Sequence, residues 1–302
     1  MSTVFATNLN TFLIFKQKNI SKELSLRIYT THLLGREKDL VLHGGGNTSL
    51  KTSIKNVFKQ KIDVMHIKGS GWDMGSIDYP GMPAVELEPL LKTNKLNKLN
   101  DFDMVNLQRK CLINSQAPNP SVETLLHAFL PFKYVDHTHA NAILGLIDQP
   151  DDVEICKATF GDQVGIVPYI IPGFELAKLS YQTFCKNRNV LGLILLKHGI
   201  FTFGDNAKES YDRMIKLVSI AEKKIKKISN KAISKKSAYK NLNQKVKKNI
   251  FPLIRRHLST KEKNGTYTKW TLDLRANNKI LNYLNHPKLS IFSQKGPVTP
   301  DH

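Results

Sequence analysis

His137 and His139 stand two residues apart in the run VDHTHANAILG, Val135 to Gly145. Alternate residues of an extended strand share a face, so both imidazoles can reach one ion. Desolvating two imidazoles side by side needs a compensating interaction, which a divalent cation supplies. The spacing describes half of a zinc site, set against the alternative of two satisfied core histidines. Further along, LGLILLKHGIFTFGDN (Leu191 to Asn206) breaks an apolar run with Lys197, His198 and Gly199. A histidine between two buried strands, followed by a glycine that gives room, makes His198 a suitable third ligand.

Two glycine-rich turns add anion chemistry. LVLHGGGNTSLKT (Leu40 to Thr52) reads as a short apolar strand running into three glycines, then Asn47, Thr48 and Ser49. Consecutive glycines let backbone N–H groups converge on a bulky anion, although the GK[ST] tail of a Walker loop is missing. The strand-like IDVMHIK is followed by Lys68, Gly69, Ser70, Gly71, Trp72 and Asp73. Two such turns, each leaving a strand, can wall one phosphate pocket; ordinary turns are the alternative. Lys68 either adds charge to that pocket or, more commonly at a strand end, is solvated. Pro118 to Ser121 then lead into the helix VETLLHAFL, with Ser121 near its start and Glu123 in its first turn. A glutamate there ordinarily complements the helix dipole. His127, one turn on, is assigned a structural role, as is Asp136, which faces away from His137 on a strand.

The elements that must hold these residues are readable from periodicity. SKELSLRIYTTHLLG (21–35) is an amphipathic helix capped by Ser21 and stopped at Gly35. FDMVNLQRKCLI has helical spacing, Pro168, Pro172 and Gly173 bend the chain before a helix through Phe184, and Ala207 to Ile228 carries Tyr211, Met214, Ile215, Val218 and Ala221 on one stripe that closes a core. Short apolar clusters at Ile250 to Leu258 and Tyr267 to Tyr283 carry no motif, and there is no internal repeat.

The 302 residues are 41% hydrophobic, enough for a large core. No run approaches the roughly 18 apolar residues of a membrane span, and the apolar run Phe12 to Phe15 is too short for a secretory signal. A cytoplasmic protein is expected. Cys111, Cys156 and Cys185 are far apart and odd in number, so reduced thiols are expected rather than a disulfide framework. The net charge of +20 is unevenly spread: residues 223–302 hold 20 Lys and Arg against three acids. Residues 1–222 are nearly neutral, 25 basic against 22 acidic, and the expected division is a domain over 1–228 and a basic C-terminal extension over 229–302. Aromatic residues are sparse in the extension and form no stacking pattern, so nucleic-acid binding is a minor hypothesis.

Together LVLHGGGNTS, KGSGWDMG, PSVETLLHAFLP, VDHTHANAILGL, PGFELAK and LLKHGIFTFG resemble the class II aldolase/adducin family. Within it the chain is most similar to the aldolase portion of bifunctional rhamnulose-1-phosphate aldolase/short-chain dehydrogenase proteins. The resemblance implies an α/β fold, a three-layer αβα sandwich with a mainly antiparallel central sheet, in a homotetramer. It implies zinc, or another divalent metal, on His137, His139 and His198, with Glu123 as the catalytic acid/base. Gly46, Asn47, Ser70, Gly71 and Ser121 become the phosphate cradle. One departure is Val122, where many relatives carry a second hydroxyl before the glutamate. GPVTPDH resembles a segment that the long proteins continue into a Rossmann domain; with no GxGxxG here, no NAD site and no dehydrogenase activity are expected of this shortened form. The implied activity is cleavage of a ketose 1-phosphate such as rhamnulose 1-phosphate to dihydroxyacetone phosphate and an aldehyde such as lactaldehyde. A sugar-phosphate epimerase and a non-enzymatic adducin-like assembly module are the alternatives.

Overall fold

A computed structural model describes residues 20–229, 248–275, 277–294 and 296 of the chain. The Phe12 to Phe15 run, most of the lysine-rich stretch after Ser229 and the TPDH end lie outside the described residues. The chain divides into two compact units, with the boundary between Ser229 and Asn230.

The first unit is built on one seven-stranded sheet. Its strands are β1 (Asn47–Lys55), β2 (Lys61–Ile67), β3 (Ala84–Glu86), β4 (Tyr134–Thr138), β5 (Val164–Val167), β6 (Gly192–Leu195) and β7 (Gly199–Gly204), in the spatial order β3-β2-β1-β4-β7-β6-β5. All neighbours pair antiparallel except β5 and β6, which pair parallel. The sheet is therefore mixed and mostly antiparallel.

Its helices are α1 (Lys22–Gly35), α2 (Leu87–Lys92), α3 (Asp101–Lys110), α4 (Thr124–Phe129), α5 (Asn141–Ile147), α6 (Asp152–Phe160), α7 (Phe174–Lys186) and α8 (Ala207–Ser229). Strand alternation sorts them into two layers. Leu193, Leu195, Phe201 and Phe203 share a core with α2, α3, α4 and α7. Ile194 and Ile200, one residue out of phase, share the opposite core with α5, α6, α8 and Leu34 of α1. Burying each such side chain stabilises the fold by roughly 1.5–3 kcal/mol. The result is the αβα sandwich that the resemblance implied.

Local chemistry explains the boundaries that matter. Ser21 caps α1, its Oγ accepting from Leu24 N–H at 3.2 Å. Gly35 is the last residue of that helix, and its missing side chain also admits the 74–75 backbone, since a Cβ there would lie 2.2 Å from Gly75 N. The strand expected ahead of the glycines is absent. Leu40 and Val41 instead turn into the α5/α8 core, Gly46 reverses the chain at φ +58°, and β1 starts after the glycines at Asn47.

The second unit holds α9 (Phe251–Leu258), α10 (Asn278–Leu284) and α11 (Leu289–Phe292), with an antiparallel bridge between Lys261 and Tyr267. Trp270 Nε1 donates to the Leu258 carbonyl at 2.9 Å. Neither α9 nor α11 buries a side chain. Among the described residues of the chain, no helix is long and apolar enough to cross a membrane.

Candidate active site

The centre of the sheet puts three side chains in one row. Asn47 on β1 pairs with His137 on β4, which pairs with Phe201 on β7. Phe201 stacks on the His137 ring, with centroids 4.1 Å apart. The His137 Nδ1–H donates to the Ile200 carbonyl at 3.0 Å, which leaves the Nε2 lone pair for an ion. Burial first, then the neighbouring His139 and His198 imidazoles, push His137 well below the usual histidine range. It is a neutral donor.

His139 lies one residue past the end of β4, with its Nε2 2.9 Å from His137 Nε2. His198 comes from the tight connection between β6 and β7. Lys197 there adopts the left-handed conformation at φ +58°, and His198 N–H donates back to Leu195 O at 3.1 Å. Gly199 then passes directly under the cluster: a Cβ on it would lie 2.5 Å from the Thr138 carbonyl and 3.1 Å from both His137 and His139. The ligand-type nitrogens of His137, His139 and His198 all lie within 4.8 Å of one another. Three imidazoles, buried and convergent, fit a borderline divalent ion such as zinc by donor type and number.

Glu123 faces this cluster. The expected placement in the first helical turn shifts by one: Glu123 is the N-cap residue of α4, at φ −87°, ψ 10°. The cause is a turn in which Ser121 O accepts from Thr124 N–H at 3.0 Å and Ser121 Oγ from Glu123 N–H at 3.3 Å. The carboxylate is buried, with Oε1 3.2 Å from His198 Nε2 and Oε2 3.3 Å from His137 Nε2. Asn47 Nδ2 donates to Glu123 Oε2 at 2.7 Å and to Ser121 Oγ at 3.0 Å.

Three loops are tied together beside the cluster. Lys68, solvated in the commoner expectation, is 2% exposed, and its Nζ donates to Gly44 O at 2.7 Å and Trp72 O at 2.6 Å. It clasps the two glycine turns. A Cβ on Gly44 would approach Gly71 O to 3.0 Å, so the turns touch rather than face each other across a gap. Ser70 N–H donates to Asn119 O and Ser121 N–H to Lys68 O, at 2.8 and 3.1 Å. Those two amides are therefore already committed within the protein. Gly46, Asn47 and Ser121 are buried, the last two hydrogen-bonded to Glu123, whereas Ser70, Gly71 and Val122 are exposed. Gly46 cannot carry a side chain, because its Cβ would lie 2.8 Å from His137 O. Of the residues singled out in the sequence, Glu123, His137, His139, His198, Asn47 and Ser121 form one contact network. Ser70 and Gly71 join it only through the loop ties.

Two residues outside that set belong to the network. His127 is fully buried, hydrogen-bonded through Nε2 to Asn47 Oδ1 and through Nδ1 to Ser49 Oγ, the latter at 2.8 Å. Burial first, then the Lys51 and Arg27 cations, hold it well below the usual histidine range. Ser49 was within reach of sequence reasoning, because it sits two residues from Asn47 on a strand and so shares its face. Asp136 points to the other side of the sheet, paired with Arg27 at 2.6 Å and accepting from Ser210 Oγ at 2.5 Å.

Residues 26–225 match the family described as Class II Aldolase and Adducin N-terminal domain. The chain belongs to this class II aldolase/adducin family. It is 40% identical to the N-terminal class II aldolase domain of a conserved protein from Thermoplasma acidophilum, with a TM-score of 0.64 over 69% of this chain and 96% of that one. A sugar-phosphate aldolase from Thermotoga maritima shares the fold at 16% identity, with a TM-score of 0.51 over 69% of this chain and 97% of that one. The chain is also 32% identical, over 91% of its length, to the uncharacterized oxidoreductase YuxG of Bacillus subtilis (strain 168), and spans 40% of that curated relative. In this class II aldolase/adducin chain the family match contains every residue of the histidine–glutamate cluster and stops short of the second unit.

Proposed function

We propose that the 1–228 domain is a zinc-dependent aldolase that cleaves a ketose 1-phosphate, of which rhamnulose 1-phosphate is the type, to dihydroxyacetone phosphate and an aldehyde such as lactaldehyde. The observation that carries this reading is the Glu123 carboxylate held 3.2–3.3 Å from two of the three clustered imidazoles. His137, His139 and His198 would hold the ion, which supplies Lewis acidity toward the ketone oxygen and its neighbouring hydroxyl. Glu123 moves the proton at the carbon released from the aldehyde fragment, within the reach that acid–base transfer requires. Asn47 orients that carboxylate. Ser121 Oγ accepts from both Asn47 and Glu123, so it keeps its own proton to give to a substrate phosphate, with Gly46, Asn47, Ser70 and Gly71 completing the cradle. Binding energy from the phosphate then fixes the reacting carbons. Retention of all three histidines and the glutamate favours an enzyme over an assembly module.

The test is a zinc-loaded protein assayed with a panel of ketose 1-phosphates for triose-phosphate release. Release with at least one sugar is expected. No turnover with any of them sinks the reading, and isomer formation without fragments replaces it by an epimerase. Light scattering reads the homotetramer proposed with it.

A further inference from the structure

We infer that His127 is a positioning residue that fixes the orientation of Glu123 by locking the side-chain amide of Asn47. The inference rests on the role given above to Glu123 as the proton-transfer group.

The directions of the hydrogen bonds around Asn47 are forced. A carboxylate only accepts, so the amide face 2.7 Å from Glu123 Oε2 must be Nδ2. That leaves Oδ1 toward His127 Nε2, and an amide oxygen also only accepts. His127 therefore carries its proton on Nε2 and accepts at Nδ1 from the Ser49 hydroxyl at 2.8 Å. The chain runs in one sense: Ser49 O–H to His127, His127 N–H to Asn47, Asn47 N–H to Glu123. An asparagine amide presents nearly the same shape in either orientation, so shape alone does not choose one. The Glu123 carboxylate and the donor at His127 Nε2 choose it together. Without that donor Asn47 Oδ1 loses the bond that anchors the amide, and the carboxylate loses its fixed seat beside His137 and His198.

Packing holds the lock in place. His127 sits inside α4, the helix that Glu123 caps, and its N–H donates to Glu123 O at 3.1 Å. Its ring meets the edge of Phe201 at 5.3 Å, and Phe201 in turn stacks on His137. Asn47 and Ser49 share a face of β1, which pairs with β4 through Asn47 and His137. The same imidazole thus reads the register of the strand beside the histidine cluster.

The experiment uses the zinc-loaded full chain and dihydroxyacetone phosphate as the probe, following by NMR the exchange of its hydroxymethyl C–H into D2O. His127→Leu removes the donor; His127→Gln can restore one at the position of Nε2. Per folded, zinc-loaded site, the exchange rate should fall at least tenfold in His127→Leu and return to within about threefold of wild type in His127→Gln, with zinc stoichiometry equal in both. Equal losses in the two variants, or a loss that follows zinc content, would overturn the inference. If His127→Leu does not fold, ¹⁵N shifts of the wild-type histidines decide: the Nε2–H tautomer is expected at His127, and the Nδ1–H tautomer would overturn it. No exchange in the wild type, or exchange that survives Glu123→Gln, refutes instead the role assigned to Glu123.

Discussion

Gly199 runs so close beneath His137 that a single methyl group placed on it would lie 3.1 Å from the imidazole Cε1 while pressing on the Thr138 carbonyl at 2.5 Å. The contact is steric, against backbone that cannot step aside. Gly199→Ala is predicted to displace β7 from β4 and splay the three imidazoles, lowering metal affinity by about 10–100-fold, as losses of support around a metal ligand do. Chelator competition on purified variant and wild type measures this. Unchanged affinity would show that the cluster does not depend on this approach.

Glu123→Gln keeps the shape of the side chain and removes its basicity. The expected outcome is a loss of activity of about 10²–10⁴-fold, the range for a general acid–base group, with metal content unchanged. A variant that loses its metal instead would assign Glu123 to ligation.

The buried histidine makes stability depend on pH in a definite direction. His127 in the folded chain titrates well below its ordinary value, so below about pH 6.5 the unfolded chain binds the extra proton and the folded chain does not. That favours unfolding as pH falls, and above this window the contribution is flat. Urea denaturation of wild type and His127→Gln between pH 8 and 5 should differ in slope by up to about 1.4 kcal/mol per pH unit below 6.5. Parallel curves would contradict the prediction.

On the opposite face of the sheet, the Arg27–Asp136 pair is fully buried at 2.6 Å. Arg27→Ala leaves an uncompensated carboxylate and should cost about 3–5 kcal/mol. Because Asp136 faces away from the histidine cluster, the fraction that stays folded should bind metal with wild-type affinity. A selective loss of metal would give Asp136 a part in orienting His137.

The histidine–glutamate cluster was legible in the sequence to differing degrees, and the reasons are physical. A period of two brings His137 and His139 together, and their Nε2 atoms lie 2.9 Å apart although His139 falls just beyond β4. His198 followed from a break in an apolar run. What placed it beside His139 is the adjacency of β4 and β7, which are separated in sequence by β5 and β6 and joined only by long-range pairing. The glycine run misled the strand assignment, since apolar Leu40 and Val41 serve the helical face of the core rather than the sheet. The usual fate of a lysine at a strand end is solvation, and the carbonyls of two loops folded around Lys68 bury it instead. His127 carried no signal of its own, because its partners Asn47 and Ser49 lie on a strand some eighty residues earlier.

The pairing of Asn47 with His137 has a consequence for how the proposed activity can fail. The three clustered imidazoles come from β4, the residue that follows it and the β6–β7 connection, while the carboxylate is tethered to β1 through Asn47. A one-residue slip of β1 would turn Asn47 to the far face of the sheet and leave the histidines untouched. Such a molecule would pass every test for bound metal and yet be silent. Metal content and turnover are therefore separate assays of this fold, the first reporting on one half of the sheet and the second on the seam between the halves.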